Sequence, residues 1–334
     1  MASVSVVPIE LKGKCMKKLT AIIITLIIIL LPVSGCGVRK NSDDRLKVVC
    51  TIFPQYDFVR NIAGDLVDLK MLVPFGMESH DFTLENMSVA DVAMVGAADL
   101  FIYVGGESDS QWVDKLKNTV AGETEWLAII DTVDTVNESL SDSMLRAHEH
   151  DGDAEADEHV WASPKKAIEI SDAITNELCY LDPHNAETYK ENFADYKGKL
   201  QELDKRLYNV TRGSVNKTLI FADRFPFRYL AADYGLSYDA AFPGCSSATD
   251  PSVAQITSLC ESAVATGAKA IFYMENSNPQ YARQIAERVG AKTYLLHSCH
   301  TVTKAQYEAG ASYISLMEGN INSISEAFYE SDNG

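Results

Sequence analysis

Positive charge is scarce in this chain. Only 29 Lys and Arg stand against 47 Asp and Glu, a net charge of −18 over 334 residues. Nucleic acid needs a basic face to neutralise its phosphates, so that class of partner is excluded. An acidic surface suits solubility and the gathering of cations. Histidine is sparse at 7 residues, and tryptophan at 3. The cysteines are scattered, and no pair has the close spacing of a zinc knuckle. There is no Gly-Lys-Ser/Thr phosphate loop and no His-Glu-x-x-His helix, which argues against an ATPase and against that kind of metalloprotease.

One long apolar run is present, at residues 19–33. Lys17 and Lys18 precede it and Val33-Ser34-Gly35-Cys36 closes it. A basic end, a short apolar core and small residues before a cut site make a secretory signal. The run of about 15 residues is also short for a membrane span of about 20. Residues 1–35 are therefore expected to be a signal peptide with a lipobox ending at Cys36, which would become the lipid-bearing first residue. An uncleaved anchor is the alternative. Met16 is the better start, with residues 1–15 an upstream extension. Residues 36–46 read as a flexible tether. Losing the four Lys and one Glu of residues 1–35 takes the net charge from −18 to −21. The remaining chain, about 290 residues, is long enough for two modest cores. Its Cys50, Cys179, Cys245, Cys260 and Cys299 are odd in number. A disulfide is permitted outside the cytoplasm, with Cys245–Cys299 the first pairing to consider; most of the five are expected to be buried apolar residues.

The organisation reads as two similar halves around one helix. Strands are expected at 46–53, 67–73, 100–104 and 126–130, with helices at 55–63, 86–97 and 109–118 between them. The second half repeats the scheme with strands at 218–221, 237–242, 270–274 and 293–296. Such alternation builds parallel sheets covered on both faces. Between the halves, Tyr189, Phe193, Tyr196, Leu200, Leu203, Leu207 and Val210 step by four and three without a break, an unbroken helical stripe. Asp182 is the expected cap, Pro183 the first turn and Gly213 the stop. A single stiff helix predicts limited lobe closure. A last helix is expected at 307–328. The expected class is α/β: two lobes, each a parallel four-stranded sheet flanked by helices, joined by one long backbone helix. The lobes are assigned to 47–181 and 213–330, with the connecting helix at 182–212.

Three histidines fall at turns. His80 lies in Glu78-Ser79-His80-Asp81-Phe82, His159 in Glu158-His159-Val160-Trp161, and His297 ends Tyr294-Leu295-Leu296-His297. Ligands of open parallel sheets bind beyond the carboxyl ends of strands. If both lobes turn these ends to one cleft, His80, His159 and His297 meet there. Imidazole nitrogens in a tetrahedral set suit zinc better than manganese, which favours oxygen donors. Binding is then expected to weaken below about pH 6, where imidazole protonates. The stretch 148–158 is acidic, contains His148 and His150, and has no packable face, so a mobile loop is expected. Trp112, Trp126 and Trp161 read as packing anchors; Phe225, Phe227 and Tyr229 as cleft wall or core; and Glu275 as a capping or hydrogen-bonding group at a strand end.

From 47 to 328 the chain resembles the zinc- and manganese-specific solute-binding lipoproteins of bacterial ABC importers, the zinc-uptake component A family. The resemblance is carried by His80-Asp81-Phe82 with the following helix and Ala98-Asp99-Leu100, by Glu158-His159-Val160-Trp161-Ala162-Ser163-Pro164, and by Phe221-Ala222-Asp223-Arg224-Phe225 through Tyr229-Leu230. It implies His80 and His159 as ligands. It puts the family's third ligand position on Ala222, which has no donor, and its fourth on His297. Water, Asp223, Glu78 or Cys245 could complete the shell. It also implies capture of Zn2+ (Mn2+ less so) outside the membrane by a lipid-tethered monomer. The partners would be a permease and a separate ATPase. A manganese- or iron-binding homologue, a surface adhesin, a zinc-dependent hydrolase and a member that has lost its metal remain as alternatives.

Overall fold

The computed structural model describes residues 45–145 and 156–333, apart from 247 and 249. The expected signal peptide, Cys36, most of the tether, and His148 and His150 lie outside the described residues. Four strands, β1 (Leu46–Cys50), β2 (Val67–Met71), β3 (Leu100–Tyr103) and β4 (Glu125–Ala128), form one parallel sheet in the order β2-β1-β3-β4. A second parallel sheet, β6-β5-β7-β8, uses β5 (Thr218–Phe225), β6 (Ser237–Pro243), β7 (Ala270–Met274) and β8 (Lys292–Leu296). Leu46 pairs with Val67 and Val48 with Leu100; Ile220 pairs with Ile271. The central strands are apolar almost throughout because helices cover both faces. In each sheet the strand order reverses beside the first strand, the kind of switch point at whose carboxyl side ligands of open parallel sheets bind.

Helices α1 (Phe53–Ala63), α2 (Val89–Gly96), α3 (Glu107–Thr119) and the short α4 (Asp142–Leu145) belong to the first half. The next two are α5 (Pro164–Leu181) and α6 (Ala186–Gly213). The 28 residues of α6 run roughly 40 Å at about 1.5 Å per residue. Its stripe from Tyr189 to Leu207 is buried as the spacing predicts, with Thr211 rather than Val210 closing it. This face packs on α1, α5 and α11 (Tyr313–Asn333). One continuous apolar core therefore includes Val48 and Phe101 of the first sheet, Leu203 of α6, and Phe221 and Phe272 of the second. Both sheets thus share one core. A separate cluster, including Ile220, Ala222, Ala241, Leu259 and Ile285, fills the other face of the second sheet. The remaining helices are α7 (Arg228–Tyr234), α8 (Val253–Thr266), α9 (Gln280–Val289) and α10 (Lys304–Glu308).

Four expectations change. Asp182 does not cap α6; it ends α5, and its carboxylate accepts from Asn185 Nδ2 at 2.6 Å and from the Tyr189 hydroxyl at 3.0 Å. Pro183 therefore lies in the turn, and α6 begins at Ala186. The helix expected at 86–97 starts at Val89, because Ser88 and Asp91 form a reciprocal cap, with the Ser88 N–H donating to Asp91 at 2.8 Å. The last helix is two pieces, α10 and α11, separated where Gly310 takes φ +87°, a conformation glycine adopts freely and other residues rarely.

Candidate metal centre

His80 sits in a single 3-10 turn, Ser79–Asp81, that follows β2. His159 caps another, Val160–Ala162, ahead of α5. His300 follows β8, three residues beyond His297. The ring centroids of His80 and His159 are 5.6 Å apart, those of His80 and His300 5.4 Å, and those of His159 and His300 6.1 Å. One nitrogen from each ring lies within 4.8 Å of the others, a spacing that a single ion can bridge.

The sequence assigned the third imidazole to His297, and His297 is not in this group. Its Nδ1 accepts the Cys299 N–H at 3.0 Å, so the ring folds back onto its own turn. Asn320 clamps the same residue, accepting its N–H at 2.7 Å and donating to its carbonyl at 2.8 Å. His297 thus shapes the turn that presents His300. That turn places Cys299 at φ +61°, a strained geometry for a residue with a side chain. Glu275 holds it from β7: its carboxylate accepts the Ser298 N–H at 2.8 Å and the Ser298 hydroxyl, and the Ser298 oxygen accepts the His300 N–H at 3.2 Å.

His159 is held equally firmly. Asp157 accepts its backbone N–H at 2.9 Å and lies 3.2 Å from its Nδ1. A carboxylate on one ring nitrogen fixes the tautomer and leaves Nε2 as the electron-pair donor. Tyr229 donates to the Asp157 carbonyl at 2.8 Å, and Trp161 donates to the Ser298 carbonyl at 3.0 Å. Tyr229 and Trp161 thus tie the loops of His159 and His300 into the core. The Gly76 N–H donates to the Thr301 hydroxyl at 2.9 Å, linking the turn of His80 to that of His300.

Electrostatics divides the three rings. His80 is pushed down to about 4 by burial, helped by the neighbouring His159 and opposed by Glu158 and Glu78. Burial also drives His300 well down, with His80, His159 and Arg224 acting in the same direction. His159 is pulled down by burial, yet Asp157, Glu158 and Glu138 outweigh it and its pKa is raised. The Nε2 atoms of His80 and of His297 are both buried without a hydrogen-bond partner, but only His80 has two other imidazoles within reach. An uncharged, unpaired imidazole nitrogen in a polar cluster is poised for a cation.

The positions considered for a fourth donor separate clearly. Ala222 points into the second-lobe core. Asp223 accepts its neighbour's N–H at 2.8 Å. Arg224 is the residue of this strand that reaches toward the histidines, and Glu78 is paired with it at 2.7 and 3.1 Å. Cys245 remains, and Glu158 joins it, each with a donor atom within 4.8 Å of His80 and of each other. Glu158 and His300 were missed in the sequence. Glu158 was assigned to a mobile acidic loop, yet it is 4% exposed, and Asp157 before it 1%. Two glycines admit the site's side chains. A Cβ on Gly106 would come within 2.3 Å of the Glu158 carboxylate carbon, and one on Gly244 within 2.9 Å of the His159 ring. The five cysteines among the described residues are all free, so the Cys245–Cys299 pairing is not formed.

Comparison with known proteins agrees with this architecture. The family model described as "Zinc-uptake complex component A periplasmic" matches residues 48–327. The zinc-binding lipoprotein AdcA of Streptococcus pneumoniae is 30% identical over 318 residues, 93% of this chain and 61% of that protein. The chain thus spans less than two thirds of that relative. The high-affinity zinc uptake system protein ZnuA of Bacillus subtilis is 30% identical over 293 residues, 87% of this chain and 90% of that one. The crystal structure of the Zn(II)-bound ZnuA-like domain of the pneumococcal AdcA is similar with a TM-score of 0.69 at 30% identity, covering 85% of this chain and 99% of that one. The metal-dependent lipoprotein YcdH of Bacillus subtilis gives a TM-score of 0.70 at 28% identity, covering 85% and 100%. The two parallel sheets, the long helix beside them and the family match over most of the length lead to one conclusion: the chain belongs to the ZnuA family of zinc-uptake complex component A proteins.

Proposed function

We propose that this protein captures zinc outside the cytoplasmic membrane and delivers it to an ABC permease for import. The reading rests above all on the convergence of His80, His159 and His300, three imidazoles from three separate segments whose nitrogens lie within 4.8 Å of one another. All-nitrogen donors suit zinc and disfavour manganese. The zinc-binding names of relatives at 30% identity point the same way. The lobes at 47–181 and 213–330 supply the ligands, and the helix region 182–212 holds them at a fixed separation. A lipid on Cys36 tethers the monomer to the outer face of the membrane. The permease and a separate ATPase supply the driving force.

This is binding, not turnover. His159 and His300 are 1% and 3% exposed, which suits enclosing an ion more than admitting a substrate to be hydrolysed. The test is metal analysis of the purified protein after zinc loading and exhaustive dialysis. One zinc per chain, lost in His80→Ala and in His300→Ala, supports the reading. A protein that emerges without zinc, or variants that keep full occupancy, would refute it.

A further inference from the structure

The ligand atoms of His80, Glu158 and Cys245 lie within 4.8 Å of one another, and this second donor set is not used by the three-imidazole reading. Glu158 arrives from the segment before α5, and Cys245 from the turn after β6, where the Ser246 N–H donates to the Pro243 carbonyl at 3.2 Å. The packing that holds them is specific. Glu158 lies against Gly106 so closely that a Cβ there would sit 2.3 Å from its Cγ. Gly244 is kept bare by the His159 ring and by the Phe225 carbonyl, 3.1 Å from where its Cβ would be. Cys245 is exposed as a residue, yet burial of its thiol, with Glu158, Asp157 and Glu138 close by, pushes the thiol well up and keeps its proton on until a cation arrives. Glu158, His159 and His300 are all buried. The two sets therefore share His80, and the second differs in reaching the surface at Cys245.

Charge gives the second set a purpose. Three neutral imidazoles bring no charge of their own to offset a divalent ion. The Asp157 carboxylate acts only through the far nitrogen of His159, and Arg224 is already paired with Glu78. A carboxylate and a thiolate together would neutralise the ion. Nitrogen, oxygen and sulfur donors in one shell suit a thiophilic divalent ion such as zinc, cobalt or cadmium.

We propose that His80, Glu158 and Cys245 form a thiolate-containing entry site, which binds a thiophilic divalent ion from solvent and passes it to His159 and His300 while His80 stays attached. The proposal builds on the capture reading above. Because one imidazole nitrogen holds one ion, the two sets are filled in turn. On entry the Cys245 S–H gives its proton to water and sulfur binds the ion; on transfer the sulfur–metal bond breaks and the thiolate regains a proton from water.

Cobalt(II) is the probe, since thiolate ligation produces a near-ultraviolet charge-transfer band that imidazole ligation lacks. In the double variant His159→Ala/His300→Ala the ion is held back at the entry site. One Co2+ per chain with the charge-transfer band is expected, and adding Cys245→Ser should remove the band. In the otherwise unsubstituted protein, Cys245→Ser or Glu158→Gln should slow Co2+ association by about tenfold, the scale on which neighbours of a metal centre act. This kinetic arm does not depend on the double variant folding. Absence of the band, a band that survives Cys245→Ser, or an unchanged association rate would overturn the entry site while leaving the capture reading intact. Failure of the unsubstituted protein to bind Co2+ or Zn2+ at all would instead remove both.

Discussion

Arg224 donates two hydrogen bonds to Glu78, at 2.7 and 3.1 Å, joining β5 of the second lobe to the turn that carries His80 in the first. Each side chain is only 13% exposed. The pair therefore crosses between the lobes and holds a guanidinium beside the three-imidazole cluster. Glu78 makes this tolerable by neutralising it.

Removing that neutralisation should be costly twice over. Glu78→Gln is expected to destabilise the metal-free protein by about 1–3 kcal/mol, the usual cost of leaving a buried polar partner unsatisfied. It should also weaken zinc binding, because the freed guanidinium repels the ion. Thermal unfolding and competition with a chromophoric chelator read the two effects. Replacing both residues, as Glu78→Gln/Arg224→Met, should restore affinity relative to Glu78→Gln alone; no recovery would mean that Arg224 does not oppose the ion.

His297 and His300 make opposite predictions. His300→Ala removes a donor and should lower zinc affinity by at least about a hundredfold. His297→Ala removes only the group that folds the turn, so a loss of roughly tenfold is expected, as for outer partners of metal ligands. Calorimetric titration of both variants distinguishes them. A larger loss for His297→Ala than for His300→Ala would reverse the assignment.

Acidity should act in two ways. His80 and His297 sit at about 4 in the folded protein against an ordinary 6.5, and His300 is lowered as well. The unfolded chain therefore takes up more protons in that window, so their stability contribution is present above about 6.5 and is lost as pH falls toward 4. His159 has the opposite sign: its raised pKa stabilises below 6.5, and that contribution fades as pH rises through its folded value. With three lowered groups against one raised, denaturant melts of the metal-free protein should show a net loss from pH 7 to pH 5. Zinc must also displace the His159 proton, so on acidification affinity should already be falling at a pH above 6.5 rather than only below 6. Equal zinc affinity at pH 7.5 and pH 5.5 would count against ligation by His159.

Gly244→Ala tests how tightly the His159 ring is enclosed. The new methyl would lie 2.9 Å from the ring carbon Cε1 and 3.1 Å from the Phe225 carbonyl. The carbonyl belongs to β5 and cannot move, so the ring must. Zinc affinity should drop by about tenfold or more, with stability reduced by about 1–3 kcal/mol, the range for overpacking. An unaltered titration would show that the ring does not need its present position.

The sequence carried the fold further than the site. Apolar runs between helical stripes mark the strands, and the four-three stepping from Tyr189 to Leu207 marks the long helix. Helix ends were harder, because Asp182 and Ser88 each had a partner, Asn185 with Tyr189 and Asp91, that decided which of several polar residues did the capping. His80 and His159 could be singled out by their turns. His300 could not be separated from His297, since the choice lies in a hydrogen bond from the Cys299 N–H to the His297 ring. Glu158 was hidden for another reason. It ends an acidic run that reads as solvated, whereas its burial against Gly106 shows that it turns inward.

The most direct measurement is a crystal of the zinc-loaded protein examined by anomalous scattering at the zinc edge. One strong peak bonded to His80, His159 and His300, with His297 still accepting from Cys299, is the expected result. A peak that leaves His159 and His300 uncoordinated, or one ligated by His297, would contradict the central claim.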